Sequence, residues 1–408
     1  MKRLMRMTRS MALLGLLGPL VTAQAAGADD GTVRILVLTD LTGIYSDWSG
    51  QGSVVAAEMA AAETDGEAAG TDVEIVVRDS GLDADTAVAQ LREVNADTPV
   101  DMVVGLSSSS AAIAVQRFAE RHDIITLHSG ASSAFFSGEE CSPLAVQWGF
   151  NTYALAHSIA AGLVNDGAKR WHFITADYSF GHDVQQQVAD VVTANGGEVV
   201  GESLVPYPAN RDEMTQAVAE AGDSDASAIG LANAGEDLQL AIRQIYEQGL
   251  GRDGIAPVAI EFYTTDIRRL GIYVTAGLRF ATSFYWSRNA TAREWSQRFQ
   301  AKHGAPPTSP QAGVYSATLH YLEAVEAAGT DAPKAVMAAM RERPVDDGVF
   351  TDDGEVLINS RMRHDMLLVQ VKQPTKIERA RDYLEITGTV PGQQAFRSPQ
   401  ESGCPLVD

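Results

Sequence analysis

From Val33 onward, short apolar runs alternate with segments whose apolar residues recur at helical spacing. Val33 to Leu38 predicts a buried strand, and Gly52 to Ala62 places Val55, Met59 and Ala62 on one helical face. Val73 to Val77, Met102 to Val104 and Ile124 to Leu127 predict the next three strands. Between them lie a helix from Asp85 carrying Val88, Leu91 and Val94, and a helix opening in a serine run that aligns Val115, Phe118 and Ala119. Repeated strand–helix–strand units predict a parallel sheet with helices on both faces. The rhythm restarts at Tyr153. Helices over 153–164, 183–194, 214–221 and 238–248 alternate with strands at Trp171 to Thr175, Glu198 to Val205, Ala228 to Leu231 and Pro257 to Ile260. The fold class is therefore α/β, with two halves of similar size. The last third differs: helices over 292–303, 313–329 and 332–341 precede Val349 to Ile358 and Met366 to Val371. Those two segments read as antiparallel strands near the turn Asp352-Asp353-Gly354. No long low-complexity linker separates the halves, which implies several short crossings between two lobes.

Three loops at strand carboxyl ends carry the candidate chemistry. They are Thr39 to Ser46, Gly105 to Ser110 and His128 to Ser133. In an open parallel sheet, ligands bind just beyond the carboxyl ends of the strands. Hydroxyls and free backbone N–H groups at a helix start can hold a carboxylate without a basic side chain. A serine run can equally be a linker or a helix cap, but here a strand precedes it and a helix follows, and a cap needs only one serine. Catalytic spacing is absent: there is no H-E-x-x-H, G-x-S-x-G or G-x-x-x-x-G-K. The histidines lack the paired spacing of a zinc site, so no metal is expected, and His128 and His182 read as surface or cleft-lining residues. A G-x-G-x-x-G at Gly249, Gly251 and Gly254 leaves a helix and enters a strand, the reverse of a dinucleotide site, so it reads as a helix-ending loop. No cofactor is expected.

Composition fixes the setting. Lys2, Arg3, Arg6 and Arg9 precede an apolar run from Met11 to Val21, and Ala23-Gln24-Ala25 supplies an A-x-A cleavage pattern. Residues 1–25 read as a signal peptide, since the run is too short to cross a hydrocarbon core of about 30 Å. No cysteine stands at the cleavage point and no later stretch is apolar enough to span a membrane, so a soluble exported protein is expected. The net charge of −22 over 408 residues repels nucleic acid and anionic lipid. The chain has two cysteines, Cys141 and Cys404. In an oxidising compartment they form most simply one disulfide, the alternative being two buried thiols.

The segments VRILVLTDLTGIYSDWSGQG, VVGLSSSSAAIAVQRFAERHDIITLHSGASS and FITADYSFGHD, taken in order, resemble the type I periplasmic solute-binding proteins of ABC importers. The similarity runs from Val33 to Cys404 and points to the leucine/isoleucine/valine-binding group. It implies two doubly wound lobes joined by three crossings, near Trp148 to Tyr153, Ala281 to Tyr285 and Asp347 to Thr351. Lobe one would then comprise 31–148 and 284–347, lobe two 149–283 and 348–395, and 396–408 a tail tied back by the disulfide. By the same resemblance Ser109, with Ser108 beside it, matches the ligand-carboxylate serine, and Gly130, Ala131 and Ser132 match the backbone-and-hydroxyl loop. Phe180 matches the aromatic of lobe two, with Tyr178 able to supply the lost hydroxyl. Glu261 and Asp266 compete for the ligand ammonium. Tyr45, Trp48 and Tyr153 are candidate wall residues, with core packing as an equal reading. The implied function is non-catalytic. A monomer in the periplasm would capture a small organic carboxylate, amino acid or aromatic or aliphatic acid, and hand it to an ABC permease. A sensor docking on a receptor uses the same cleft, and an exported enzyme is disfavoured because nucleophile, base and orienting acid never appear together.

Overall fold

The structure is a computed structural model that describes residues 31–177, 179–206, 208–252 and 254–407, with only the backbone described at Ser179, Phe180 and Arg252. The expected signal peptide lies outside these residues. The first half runs β1 (Thr32–Thr39), α1 (Gly50–Glu63), β2 (Glu67–Ala68), β3 (Thr71–Asp79), α2 (Ala84–Asp97), β4 (Met102–Gly105), α3 (Ser109–Glu120), β5 (Ile125–His128) and β6 (Ala145–Gln147). The second runs α4 (Thr152–Asn165), β7 (Arg170–Ala176), α5 (Ser179–Ala194), β8 (Glu198–Val205), α6 (Arg211–Asp223), β9 (Ala228–Ala232), α7 (Gly235–Gln248), β10 (Ala256–Ala259), α8 (Thr264–Leu270), α9 (Ile272–Thr275) and β11 (Arg279–Thr282). Helices α10 (Ala290–His303), α11 (Ser309–Ala328) and α12 (Pro333–Glu342) follow, then β12 (Glu355–Val356), β13 (Met362–Arg363), β14 (Met366–Val371), β15 (Leu384–Val390) and α13 (Gly392–Ala395).

Two sheets result. The first has the order β2-β3-β1-β4-β5-β6, parallel except at β2. The second has the order β15-β14-β11-β10-β9-β7-β8, parallel from β8 to β11 and antiparallel beyond. Strand residues alternate between two cores, as a sheet covered on both faces requires. In β1, Ile35 and Val37 pack with α1, α10 and α11, while Leu36 and Leu38 pack with α2 and α3. In β7, Phe173 packs with α4 and α5, while Ile174 packs with α6 and α7. Gly249, in the left-handed conformation, ends α7 ahead of β10, so the glycine motif closes a helix.

The chain passes between the two cores three times. It leaves the first sheet at Gln147, with Ala154 already in the second core. It leaves the second sheet at Thr282, with Phe284 in the first core. The last passage comes later than the 347–351 expected. Val349, Phe350, Val356 and Met362 all pack in the first core, and the second sheet is rejoined only at Met366. The expected pairing of Val349–Ile358 with Met366–Val371 is also replaced. Asp347 accepts bonds from the N–H groups of Val349 at 2.8 Å and Phe350 at 2.6 Å, turning the chain inward, and Phe350 stacks with Phe284. β12 then pairs with β13, while β14 lies between β11 and β15. His128 is neither at the surface nor in a cleft. It is fully buried, with Nε2 2.7 Å from Oε1 of Gln116, because it ends β5 between β4 and β6 and its ring packs against Phe136. His182 is exposed and pairs with Asp177 at 2.8 Å. The two cysteines form a disulfide that joins residues 263 positions apart.

Candidate functional site

The carboxyl ends of both sheets open onto a cleft of about 1010 Å³. Its first wall begins after β1, where the buried Asp40 accepts bonds from the N–H groups of Gly43 at 2.7 Å and Tyr45 at 2.8 Å. That turn delivers Tyr45 and Trp48 to the cleft, their rings 5.0 Å apart. The second loop supplies Ser107 to Ser110. Ser107 donates to Ser49 at 2.8 Å, and Ser108 caps α3 by accepting from Ala111 N at 3.5 Å. Ser109 accepts from Ser133 N at 3.2 Å, which ties the second loop to the third. Ser132 and Ser133 complete this wall. Gly130 and Ala131 lie buried behind it and do not line the cleft. A Cβ on Gly130 would stand 3.1 Å from the Trp48 ring, so Gly130 positions the wall by its small size.

The opposite wall is acidic. Beyond β10 come Glu261, Tyr263 and Asp266, joined by Asp237 and Gln239 of α7. Tyr263 donates its hydroxyl to Glu261 Oε1 at 3.1 Å, and Ser132 donates to the same oxygen from across the cleft at 3.4 Å. Asp266 is turned into its own helix start, where it accepts from Tyr263 N at 3.0 Å, and it also accepts from Gln239 at 3.3 Å. Burial pushes the carboxyls of both Glu261 and Asp266 up, against the bonds they accept, and pushes the Tyr263 phenol well up. Two further contacts cross the cleft. Trp48 stacks on Tyr263 at 4.8 Å, and Arg269 pairs with Asp47 at 2.7 Å.

Seven of the candidate residues therefore meet here: Tyr45, Trp48, Ser108, Ser109, Ser132, Glu261 and Asp266. Tyr153 does not, because it stacks on His157 at 3.8 Å and lies under the Arg397 guanidinium at 4.4 Å. Tyr178 lies outside the described residues, and Phe180 is placed only as backbone near the start of α5. Tyr263, Asp237, Gln239, Arg269 and Arg397 also line the cleft, and the sequence reading missed them. For Tyr263 a signal was there, since it follows Glu261 at the period of 2 that continues one face of an extended chain. The arrangement sets hydroxyls and a helix start against a half-buried carboxylate.

Residues 32–376 match a family described as periplasmic binding protein. The chain belongs to that family. Type I periplasmic binding proteins are the solute-binding components of ABC transporters; they hold small molecules and work with permeases, and are binders rather than enzymes. Among solved structures, a periplasmic binding protein from Burkholderia mallei is 36% identical, with a TM-score of 0.82 over 92% of this chain and 99% of its own. A branched-chain amino acid ABC transporter ligand-binding protein from Burkholderia xenovorans is 29% identical, with a TM-score of 0.87 over 92% of this chain and 100% of its own. A solute-binding protein from Rhodopseudomonas palustris, in complex with 3,4-dihydroxybenzoic acid, shares the fold at 18% identity, with a TM-score of 0.76 over 89% of this chain and 98% of its own. No curated protein sequence matches the chain. Among the described residues, no helix is long and apolar enough to cross a membrane.

Proposed function

We propose that this periplasmic binding protein captures an α-amino acid between its lobes and delivers it to an ABC permease. The carrying observation is the opposition of Ser132 and Glu261 across the cleft, 3.4 Å apart. Hydroxyls of Ser109 and Ser132 and the N–H groups at the start of α3 receive the ligand carboxylate. Glu261 receives its ammonium, and Asp266, held by its own helix cap, adds negative potential behind it. The ligand class of the Burkholderia xenovorans neighbour agrees with this reading. Tyr45, Trp48 and Tyr263 favour a second reading, an aromatic carboxylate, since ring faces stack on aromatic walls. In either case the signal peptide is cleaved near Ala25 and the mature chain acts as a monomer.

A thermal-shift screen of the mature chain against amino acids and benzoates tests this, because a ligand that binds only the native state raises the unfolding midpoint. An amino acid is expected to raise it in the wild type and to leave Ser109→Asp, which places like charges together, unmoved. A response to benzoates alone selects the second reading. An undiminished amino-acid response in folded Ser109→Asp places the carboxylate elsewhere.

A further inference from the structure

A second, smaller cavity lies where the two lobes and the C-terminal tail meet. It measures about 10 Å³ and is lined by Ser137, Asn151, Tyr153, Arg361, Arg397 and Ser402, together with Ala134 and Phe396. That is room for one water-sized species. Arg361 is 1% exposed. Its Nη2 donates to the Gly149 carbonyl and sits 3.4 Å from His364 Nε2, and its guanidinium lies 3.9 Å from the centre of the Phe396 ring. Its Nε and Nη1 have no hydrogen-bond partner. Arg361 forms no ion pair among the described residues, and no carboxylate lines the cavity.

An arginine stays charged at any ordinary pH. A buried, unpaired charge is costly, and one aromatic face offsets only part of that cost. Arg361 cannot retreat to solvent, because its backbone is pinned to the edge of the first sheet. Gln147 N donates to Ser360 O at 2.8 Å, and the Ser360 hydroxyl donates to Ser142 O at 2.7 Å. Of the other polar groups around the cavity, Ser137, Asn151 and Ser402 already donate to Ala134 O, to Gln147 and Ser137, and to Pro399 O, which leaves the Tyr153 hydroxyl and the Arg397 guanidinium beside Arg361. A water would satisfy N–H groups without balancing the charge, whereas a monatomic anion does both.

We propose that this cavity binds one small monovalent anion, a halide such as chloride, against Arg361 at the junction of the lobes and the tail. The ion joins the passage at Arg361 to the tail at Arg397. It therefore stabilises the junction independently of the solute cleft.

Crystals of the mature chain grown in bromide test the site directly. An anomalous peak within hydrogen-bond distance of Arg361 Nε or Nη1 is expected, and an ordinary water there overturns the proposal. In solution, replacing gluconate by chloride at constant ionic strength, from 10 to about 200 mM, should raise the unfolding midpoint by roughly 1–3 °C in the wild type. Arg361→Met should show no chloride response. An equal midpoint in gluconate and chloride for the wild type overturns the proposal without recourse to the variant.

Discussion

Glu261 accepts both of its bonds on one oxygen, from Tyr263 and from Ser132, which leaves the other for a ligand. Because burial raises this carboxyl, a bound ammonium should draw its proton off, so binding should release protons near the raised pKa and weaken as pH falls below it. Glu261→Gln keeps the shape and loses the charge. It should cost an amino-acid ligand about 1.5–3 kcal/mol, roughly tenfold to over a hundredfold in Kd, and leave a benzoate nearly untouched. Calorimetry in two buffers of different ionisation enthalpy reads both effects, and unchanged affinity would remove Glu261 from the site. His128 and His364 act on stability instead. Burial takes both down to about 3, so the unfolded chain gains protons that the native state refuses. Their contribution is intact above about 6.5 and is lost as pH falls toward 3. Glu261, Asp266 and Asp347 are raised and work in the opposite sense, so the test is a difference. Urea unfolding of His128→Gln should show a shallower loss of stability than wild type between pH 6.5 and 4, and parallel curves would refute it. The serines that line the cleft were legible in the sequence because a strand precedes the run and a helix follows it, which places it at a strand carboxyl end. Trp48 was named only as an open choice and Tyr263 not at all, since a lone aromatic reads equally well as core until its stacking partner is known.

Elements were legible where periodicity alone decides them and obscure where pairing does. The five parallel strands of the second sheet illustrate both, since β7, β9 and β10 are apolar runs between amphipathic helices. β11 has only four residues and is a strand because β10 and β14 flank it. β15 carries a bulged register against β14 and the weak strand former Gly388, so its pattern is faint. The segment after α12 misled because its apolar residues are spent on the first core, at Val349 and Phe350, before any ladder forms. The first passage, from β6 to α4, depends on one small residue. A Cβ on Gly149 would stand 2.5 Å from the Ser129 carbonyl oxygen, a backbone atom that cannot swing away. Gly149→Ala should therefore destabilise by about 1–3 kcal/mol, the usual range for overpacking. Gly251→Ala, where nothing lies within 4 Å, should stay within about 0.5 kcal/mol. Denaturant midpoints of the two variants should separate clearly, and equal midpoints would mean that the passage yields.

At the scale of the whole molecule, the tail is the element that ties the design together. Phe396 packs in the second core and under Arg361, Arg397 and Ser402 reach the cleft, and Cys404 returns to Cys141 in the first half. The bond thus closes a loop spanning 263 positions and encloses every passage between the lobes. In the chain-entropy picture, a loop this long restricts the unfolded ensemble by about 5 kcal/mol, an upper figure that measured disulfides often miss. No strand of either sheet pairs with the tail, since β14 and β15 at the edge of the second sheet pair with each other and with β11. Replacing both cysteines by alanine should therefore lower the unfolding free energy by about 2–5 kcal/mol while leaving a folded protein. Its far-UV circular dichroism should match wild type, and it should still bind solute, with affinity reduced only by what the loosened Arg397 and Ser402 contribute. The reagent dithiothreitol gives the same comparison without mutation, and a reduced wild type should reproduce the double variant. A double variant as stable as the oxidised protein would show that the tail holds its place by packing alone, through Phe396 and Ala395, and that the bond adds nothing to it.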